Sequence, residues 1–367
     1  MKVIICGGGT GGHIFPAISI ANAVRKADPQ AEILFVGALG KMEMEKVPQA
    51  GYEIVGLPVA GFHRALTLRN VGRNLLFPFK LISSLYKASS IIKKFKPDVA
   101  VGVGGYASGP VVYLAARRKV PCLIQEQNSF PGVTNRILAP RVEKVCVAYP
   151  NMERFFPKEK IILTGNPVRQ SLLSVVTREE AAKTFGLDPN RPVILVIGGS
   201  LGARSINNGV MSSLSDLQNG VQLLWQTGSF YYDNIKANLD TNPHADIKAM
   251  AFIRQMDMAY ALADIVVSRA GASSISELAL LGKPAILVPS PNVSEDHQTK
   301  NALALENQGA AIMVADSKTD TLIKTAQEAL SDSTRLTTLG DNITTFARPN
   351  AADDIAREVI ALAQHKQ

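Results

Sequence analysis

Short apolar runs alternate with longer segments of helical period along almost the whole chain. The first half contains the runs KVIICG, EILFVG, DVAVGVGG, PCLIQEQ and KVCVAY. The second half contains PVILVIGGS, VQLLWQTG, IVVSRAG, PAILVPS and AAIMVA. Strands that alternate with helices are typical of βαβ units, in which the strands are parallel. The pattern therefore predicts an α/β protein with parallel sheets.

The two halves of this pattern begin alike. The strand predicted at 2–6 enters GGGTGGH, the strand predicted at 193–197 enters GGSLGAR, and a helical pattern follows each. A further run at 160–168 ends in a Gly-Asn-Pro turn midway between the halves. We therefore expect two doubly wound, Rossmann-like domains facing each other across a cleft, with bounds 1–163 and 164–349. An amphipathic helix over 350–367, with Asn350 as its N-cap, is expected to end the chain.

Length and composition agree with two globular domains. The 367 residues exceed the roughly 250 at which a single core usually stops growing, and 46% of them are hydrophobic. No apolar run approaches the ~18 residues of a membrane-spanning helix, and the run at 3–6 is too short for a secretory signal. We expect a protein that stays inside the cell. Its three cysteines, Cys6, Cys122 and Cys146, are expected to be small core residues.

The positive charge is concentrated in one apolar interval. The net charge is +8, and no acidic residue occurs between Glu53 and Asp98. Nucleic acid could explain the cations, but the interleaved apolar residues favour an anionic membrane surface. The alternative is an ordinary amphipathic helix that packs on the core. The residues predicted to dock on the membrane are Arg73, Leu75, Leu76, Phe77, Phe79 and Lys80.

The first glycine loop invites comparison with a dinucleotide site, because Gly7, Gly9 and Gly12 fit G-x-G-x-x-G. That motif expects a carboxylate at the end of the second strand, where this chain has FVGALGK. A dinucleotide-binding oxidoreductase is therefore the weaker hypothesis. Glycines without Cβ atoms still let a backbone approach a phosphate at a helix N-terminus. Ser200 in the second loop could add a hydroxyl donor.

The segment SRAGASSISELALLGKPAILVPSP at 268–291 is the most informative part of the sequence. A helix is predicted to begin near Ser273, where its N-terminus could stabilise a diphosphate. Glu277 has two interpretations. It could close a capping box with Ser274, or its carboxylate could accept both hydroxyls of a ribose. Further on, His297 or Gln298 could reach a sugar hydroxyl.

Six motifs together carry a family resemblance. GGTGGH, EQN at 126–128, GNPVR at 165–169, GGSLGAR at 198, SRAGASSISE at 268 and DHQTKNA at 296 occur in this order. Over essentially its full length the chain resembles the MurG family of bacterial peptidoglycan N-acetylglucosaminyltransferases. The resemblance implies a GT-B glycosyltransferase in which 1–163 binds the acceptor and the membrane, and 164–349 binds the donor. It also implies that the helix 350–367 returns to the N-terminal domain.

The family transfers N-acetylglucosamine from UDP-N-acetylglucosamine to the C4 hydroxyl of lipid I, with inversion, and so makes lipid II. The resemblance implies a peripheral protein on the cytoplasmic membrane face, with partners among cell-wall synthesis and division proteins and none among nucleic acids. A related transferase acting on another acceptor, or a membrane adaptor without catalysis, are the alternatives. The donor contacts that carry over are Thr10, Gly11, Gly12, Asn128, Arg169, Ser200, Ile253, Ala272, Ser273, Ser274, Ile275, Ser276, Glu277 and Gln298.

Inverting transfer needs a base for the acceptor hydroxyl and a stabilised leaving group. His13 and Glu126 are the two candidate bases, and we favour His13 because imidazole titrates near neutral pH. The resemblance also implies that Ile253 contacts the uracil through its backbone. No D-x-D pair occurs in the chain, so no metal or other cofactor is expected. Helix N-termini after residues 200 and 272, together with Arg169, would then stabilise the departing UDP.

Overall fold

Two parallel sheets with helices on both faces form the protein, as the alternating pattern predicts. The computed structural model describes residues 1–59, 77–168, 172, 175–199, 201–242, 244 and 246–364, with the backbone alone at 77 and 294. The chain divides into unit 1, Met1–Val168 with Arg348–Gln367, and unit 2, Arg169–Ala347. The boundary expected after residue 163 lies at the end of the last strand of unit 1.

The sheet of unit 1 is doubly wound. Its strands lie in the order β3-β2-β1-β4-β5-β6-β7 and all pairs are parallel. The central strand β1 pairs on both sides, with Ile4 opposite Leu34 in β2 and Ala100 in β4. The strands are β1 Lys2–Cys6, β2 Glu32–Ala38, β3 Glu53–Leu57, β4 Val99–Gly102, β5 Cys122–Glu126, β6 Lys144–Val147 and β7 Ile161–Leu163.

Helices cover both faces of this sheet, so that the central strands are buried at nearly every position. The helices are α1 Gly11–Ala27, α2 Glu43–Gln49, α3 Phe77–Phe95, α4 Ser108–Arg117, α5 Val133–Leu138 and the terminal helix, numbered α14, Ala351–Gln364. Helix α14 packs against α1 and buries Ile355 and Val359 in the core of unit 1. The backbone carbonyl of Asn350 accepts a hydrogen bond from Asp354 at its start.

Unit 2 repeats the same winding with six strands, in the order β10-β9-β8-β11-β12-β13. They are β8 Val193–Ile197, β9 Gln222–Gln226, β10 Ile247–Met250, β11 Ile265–Arg269, β12 Ala285–Val288 and β13 Ile312–Met313. The helices are α6 Arg178–Phe185, α7 Arg204–Ser212, α8 Ser229–Thr241, α9 Met256–Leu262, α10 Ala272–Leu280, α11 His297–Glu306, α12 Leu322–Ser331 and α13 Ser333–Thr344. The expectation of two Rossmann-like domains is confirmed.

All eleven apolar runs named from the sequence, including the run at 160–168, contain strands, but two edge strands were missed. Strands β3 and β10 lie at sheet edges and are only partly buried. Strand β10, IKAM, is short and carries a lysine, whereas β3, EIVGL, is as apolar as the central strand β5, CLIQE, and was overlooked. The three cysteines are free and buried as expected, and burial raises the pKa of each thiol.

Each sheet has one topological switch point, where strand order reverses. It lies between β1 and β4 in unit 1 and between β8 and β11 in unit 2. In open α/β sheets, ligands bind beyond the carboxyl ends of the strands at this point. Both glycine loops and the start of α10 lie at these positions. Among the described residues, none of the helices combines the length and hydropathy needed to cross a bilayer.

Candidate functional site

The first glycine loop leaves no room for a side chain at Gly7 and Gly8, whereas a Cβ at Gly9 would meet nothing within 4 Å. A Cβ at Gly7 would lie 2.3 Å from Val103 Cγ2, and one at Gly8 would lie 2.2 Å from Glu43 Oε1. Helix α1 begins at Gly11, and its N-cap, Thr10, makes no side-chain capping bond. The Thr10 hydroxyl instead lies 3.2 Å from Nδ1 of His13. The close approach of Val103 and Glu43 therefore requires glycine at positions 7 and 8.

Glu43 supports this loop through hydrogen bonds, and the sequence analysis did not identify it. Its Oε1 accepts a hydrogen bond from the Ala38 amide over 2.9 Å, and its Oε2 accepts one from the Gly9 amide over 3.0 Å. The side chain is only 1% exposed. The end of β2 lacks the carboxylate that a dinucleotide site would have. The carboxylate of Glu43, at the start of α2, faces the glycine loop instead. No sequence motif marks such a contact across more than 30 positions.

His13 lies in the first turn of α1, at the switch point of unit 1. A Cβ at Gly104 would come within 2.9 Å of His13 Cδ2 and Nε2, and Gly104 has a φ of +90°. The imidazole therefore packs closely on the backbone that follows β4. Nδ2 of Asn135 lies 3.8 Å from the same hypothetical Cβ. Asn135 thus links this corner to Glu126.

Glu126 ends β5, and both of its carboxylate oxygens accept hydrogen bonds. Oε1 accepts from the amide and the side chain of Asn128, over 3.0 and 3.2 Å. Oε2 accepts from the Gly132 amide over 3.1 Å and from Asn135 Nδ2 over 2.9 Å. Burial raises the pKa of this carboxyl, against the opposing effect of the four N–H donors. The arrangement suits a residue that shapes the loop carrying Asn128 better than one that collects a proton.

The second glycine loop follows β8 in unit 2. Gly199 and Gly202 have φ values of +86° and +78°, and a Cβ at Gly202 would lie 2.0 Å from the Thr227 carbonyl oxygen. Helix α7 begins at Arg204 without a side-chain cap. Ser200, predicted to donate a hydroxyl here, lies outside the described residues, and so does Arg169.

Helix α10 begins at Ala272 after the N-cap Gly271, and its first turn has neither a side-chain cap nor an acidic residue. The capping-box interpretation of Ser274 and Glu277 is therefore wrong, because both lie inside the helix. Ser273 Oγ is buried and has no hydrogen-bond partner in the described part of the chain. A polar atom is thus left unsatisfied at a helix N-terminus, where an anion would be favoured.

The carboxylate of Glu277 is held by a tyrosine that sequence reasoning did not find. Tyr260 on α9 donates its hydroxyl to Glu277 Oε2 over 3.0 Å. The two side chains are 1% and 7% exposed. Ser276, one of the expected donor contacts, donates its hydroxyl to the backbone carbonyl of Ala272 over 2.9 Å. Ile275 packs into the core.

Gln226 joins two other parts of the predicted donor site. Its Oε1 accepts the Ile253 amide over 2.8 Å, and its Nε2 donates to the Gly199 carbonyl over 3.0 Å. The Ile253 amide is therefore already hydrogen-bonded, and a uracil contact through the Ile253 backbone would use its carbonyl oxygen. Gln298, in the first turn of α11, accepts the Ser290 amide over 2.9 Å. The Gln226 bonds connect the loops that follow β8 and β10, and the Gln298 bond lies within the connection between β12 and α11.

Arg269 at the end of β11 makes a further connection of this kind. Its guanidinium bonds Asp316 Oδ1 over 2.5 Å and Ser205 Oγ over 2.7 Å. It also donates to the Val288 carbonyl over 3.2 Å. These bonds hold α7, the helix that follows the second glycine loop, and the end of β12 against β11. The described residues contain no cluster of three or more metal-binding side chains.

The predicted membrane segment is described only in part. Arg73, Leu75 and Leu76 lie outside the described residues, as does the Phe77 side chain. Phe79 and Lys80 lie in the first turn of α3, where Phe79 is 72% exposed. Tyr86 on the same helix is 81% exposed. Helix α3 thus presents aromatic side chains to solvent, unlike a helix that packs all its apolar residues on the core.

Comparison with known proteins identifies both units. Residues 3–147 match the glycosyltransferase family 28 N-terminal domain, and residues 193–355 match the family 28 C-terminal domain. A UDP-N-acetylglucosamine–N-acetylmuramyl-(pentapeptide) pyrophosphoryl-undecaprenol N-acetylglucosamine transferase of Parabacteroides distasonis is 54% identical over 368 residues. The match covers 100% of this chain and 99% of the relative. The Phocaeicola vulgatus protein of the same name is 54% identical, with coverages of 99% and 96%.

A solved structure supports the same assignment. MurG of Acinetobacter baumannii superposes with a TM-score of 0.78 at 28% identity, and the match covers 98% of this chain and 99% of that one. The two-domain architecture expected from the motifs agrees with this likeness, and the dinucleotide-binding alternative finds no support in it. On these matches, the chain belongs to the MurG family of UDP-N-acetylglucosamine-dependent N-acetylglucosaminyltransferases, within glycosyltransferase family 28.

Proposed function

We propose that this protein transfers N-acetylglucosamine from UDP-N-acetylglucosamine to the C4 hydroxyl of lipid I, with inversion, to give lipid II. The names of its relatives state the donor and an acceptor that is an N-acetylmuramyl-(pentapeptide) pyrophosphoryl-undecaprenol. The observation that carries the proposal is the start of α10. There, an uncapped helix N-terminus, an unsatisfied buried serine and a fixed carboxylate stand within six residues.

In unit 2 these groups suit a nucleoside diphosphate. The amides of the first turn of α10 and the Ser273 hydroxyl bind the diphosphate, and Glu277 accepts the ribose hydroxyls. A helix N-terminus contributes about 0.3–2 kcal/mol to binding an anion in stability measurements. Preorganised donors in a water-excluded site contribute about 3 kcal/mol each to a transition state. Such donors stabilise the charge that develops on UDP as the glycosidic bond breaks.

In unit 1 His13 is the general base that accepts the C4 hydroxyl proton. The Thr10 hydroxyl beside Nδ1 and the backbone of Gly104 orient its ring. A general base of this type contributes about 10²–10⁴-fold to a rate. Glu126 is a positioning residue, because four N–H donors already occupy its carboxylate. We assign it to holding Asn128 in place.

The acceptor's undecaprenyl chain requires contact with a bilayer. The exposed aromatic side chains of α3 and the lysines along it suit the headgroup layer of anionic lipids. We therefore propose peripheral attachment to the cytoplasmic membrane face through unit 1. Partners among cell-wall synthesis and division proteins remain part of this proposal.

The decisive experiment measures UDP release from UDP-N-acetylglucosamine with and without a soluble lipid I analogue. We expect release that depends on the analogue, and thermal stabilisation by UDP but not by NAD. Substituting Ser273→Val should weaken UDP stabilisation, while Ser331→Val, on α12 away from the switch point, should not. Stabilisation by NAD, or no turnover with the analogue, would contradict the proposal.

A further inference from the structure

The buried carboxylate of Glu43 packs directly against the first glycine loop, and the proposed mechanism does not use it. A Cβ at Gly37 in β2 would lie 2.5 Å from its Cγ, and one at Gly8 would lie 2.2 Å from its Oε1. Glycines in two separate segments therefore leave the space that this side chain fills. Its partners in the described part of the chain are the backbone amides of Gly9 and Ala38, and not a cation. A negative charge thus lies against a loop that is expected to receive an anion.

Two backbone donors of this loop are already bonded to the protein itself. The Gly7 amide donates to the Val36 carbonyl over 3.2 Å, which extends the ladder between β1 and β2. The Gly9 amide donates to Glu43 over 3.0 Å. A glycine loop that binds a phosphate usually offers it successive N–H groups. Here the protein's own carboxylate takes the place that such an anion would have at Gly9.

The start of α1 supplies the donors that are left. Gly11 and Gly12 are its first two residues, and amides at these positions have no acceptor within their own helix. The N-cap Thr10 makes no side-chain capping bond to them. A diphosphate held by these amides would share the first turn of α1 with the proposed base, His13, whereas the Gly9 amide lies before that turn.

We propose that Glu43 is a positioning residue, which occupies the Gly9 amide and so confines a substrate diphosphate to the start of α1. The inference rests on the proposed function for that diphosphate, which the donor and the acceptor both carry. The carboxylate acts in two ways. Its hydrogen bond fixes the loop, and its charge opposes a second anion on the same backbone. The diphosphate is then bound less tightly but in line with His13, which favours turnover over retention.

An ordinary structural role is the alternative explanation. Glu43 is the first residue of α2, and an acidic residue stabilises the N-terminus of a helix. Loss of such support would loosen the loop and weaken every property that depends on it. The positioning role predicts changes of opposite sign instead, with tighter binding of an anion and slower turnover.

The test compares Glu43→Gln with the wild type, using the full chain. This variant keeps the size of the side chain, removes its charge and places an NH2 group at one oxygen position. Calorimetry with inorganic pyrophosphate, in the presence of saturating UDP, should show binding about threefold tighter, because the opposing charge is gone and Gly9 can donate to the anion. With a soluble acceptor, kcat should fall about tenfold, because the diphosphate is no longer held in line with His13.

The same titration without UDP distinguishes the two sources of the diphosphate. A gain in affinity that persists with UDP assigns the loop to the diphosphate of the acceptor. A gain that appears only without UDP assigns it to the diphosphate of the donor. Both results support the role of Glu43.

Two further variants act as controls. Asp98→Asn removes a carboxylate that accepts the Lys2 amide over 2.8 Å, where β1 begins rather than where it enters the loop, and it should change neither value. Glu43→Asp keeps the charge on a side chain that is one methylene shorter. It should lower kcat without tightening pyrophosphate binding. Thermal unfolding of each variant verifies that it folds.

Unchanged or weaker pyrophosphate binding in Glu43→Gln would overturn the proposal. So would a gain of the same size in Glu43→Asp or in Asp98→Asn, because the effect would then not come from the charge at this position. Failure of the proposed function has a different signature, the absence of turnover by the wild type. Pyrophosphate binding needs no transfer, so the two failures are distinguishable.

Discussion

The hydroxyl of Tyr260 donates to Oε2 of Glu277 over 3.0 Å, and both side chains are almost completely buried. A hydrogen bond to a charged group is worth about 1.5–3 kcal/mol. The tyrosine therefore fixes one oxygen of the carboxylate that we propose for ribose binding. This contact joins α9 to α10 and supports the carboxylate of the proposed donor site.

Removing this hydroxyl should weaken donor binding. We expect Tyr260→Phe to raise KM for UDP-N-acetylglucosamine about tenfold with little change in kcat, because about 1.4 kcal/mol corresponds to a factor of ten. A 2′-deoxyribose donor should lose less in this variant than in the wild type. Tyr52→Phe removes a part-buried tyrosine hydrogen bond, to Asn22 in unit 1, and should leave this KM unchanged. Equal effects in the two variants would refute a specific role for Tyr260.

Substitution of the proposed base should act on turnover. His13→Ala is expected to lower kcat about 10²–10⁴-fold, the usual contribution of a general base. Thr10→Val, which removes the group beside Nδ1, should cause a smaller loss. Steady-state kinetics with a soluble acceptor distinguishes the alternatives. An unchanged kcat in His13→Ala, with only the acceptor KM altered, would show that His13 binds rather than catalyses.

Glu126 should make stability depend on pH. Because burial raises its pKa in the folded state, the native protein binds the proton more tightly than the unfolded chain does. Its contribution is therefore fully present below the ordinary glutamate pKa and is lost as pH rises through the raised value. Urea unfolding across this range should show that decline in the wild type and lose this component in Glu126→Gln.

The same variant tests the four hydrogen bonds. In Glu126→Gln an NH2 group replaces one of the two carboxylate oxygens. The N–H donors that face that oxygen in the wild type would then face another donor and stay unpaired. We expect a loss of about 1–3 kcal/mol in the free energy of unfolding at neutral pH. No loss at neutral pH would mean that the loop around Asn128 does not depend on this carboxylate.

Helix α3 should attach the protein to anionic vesicles. Phe79→Ser combined with Tyr86→Ser is expected to reduce binding in a flotation assay, and added salt should reduce it further. Turnover of a short-chain soluble acceptor should persist. Phe230→Ser, which removes an 80% exposed aromatic side chain in unit 2, is the matched control. If the double variant lost both vesicle binding and soluble turnover, α3 would belong to the structural core instead.

The sequence by itself determined the sheets, their helices and the positions of the glycine loops. These follow from local periodicity and from the backbone freedom of glycine, both of which can be read within a few residues. Only the edge strands β3 and β10 were not predicted: partial burial weakens the hydrophobic pattern of β10, whereas the run of β3 is apolar and was overlooked. The order of the motifs was also enough to indicate the family.

The tertiary structure alone decided which polar groups meet. Glu277 fits a capping box in sequence, yet α10 begins too early for one, and a tyrosine 17 residues away takes the carboxylate. Glu43 reaches Gly9 across 34 positions, and Gln226 reaches Ile253 across 27. Buried donors and acceptors are paired by the packing of distant elements. A linear pattern records that a residue is polar, but the partner is chosen only when the chain has folded.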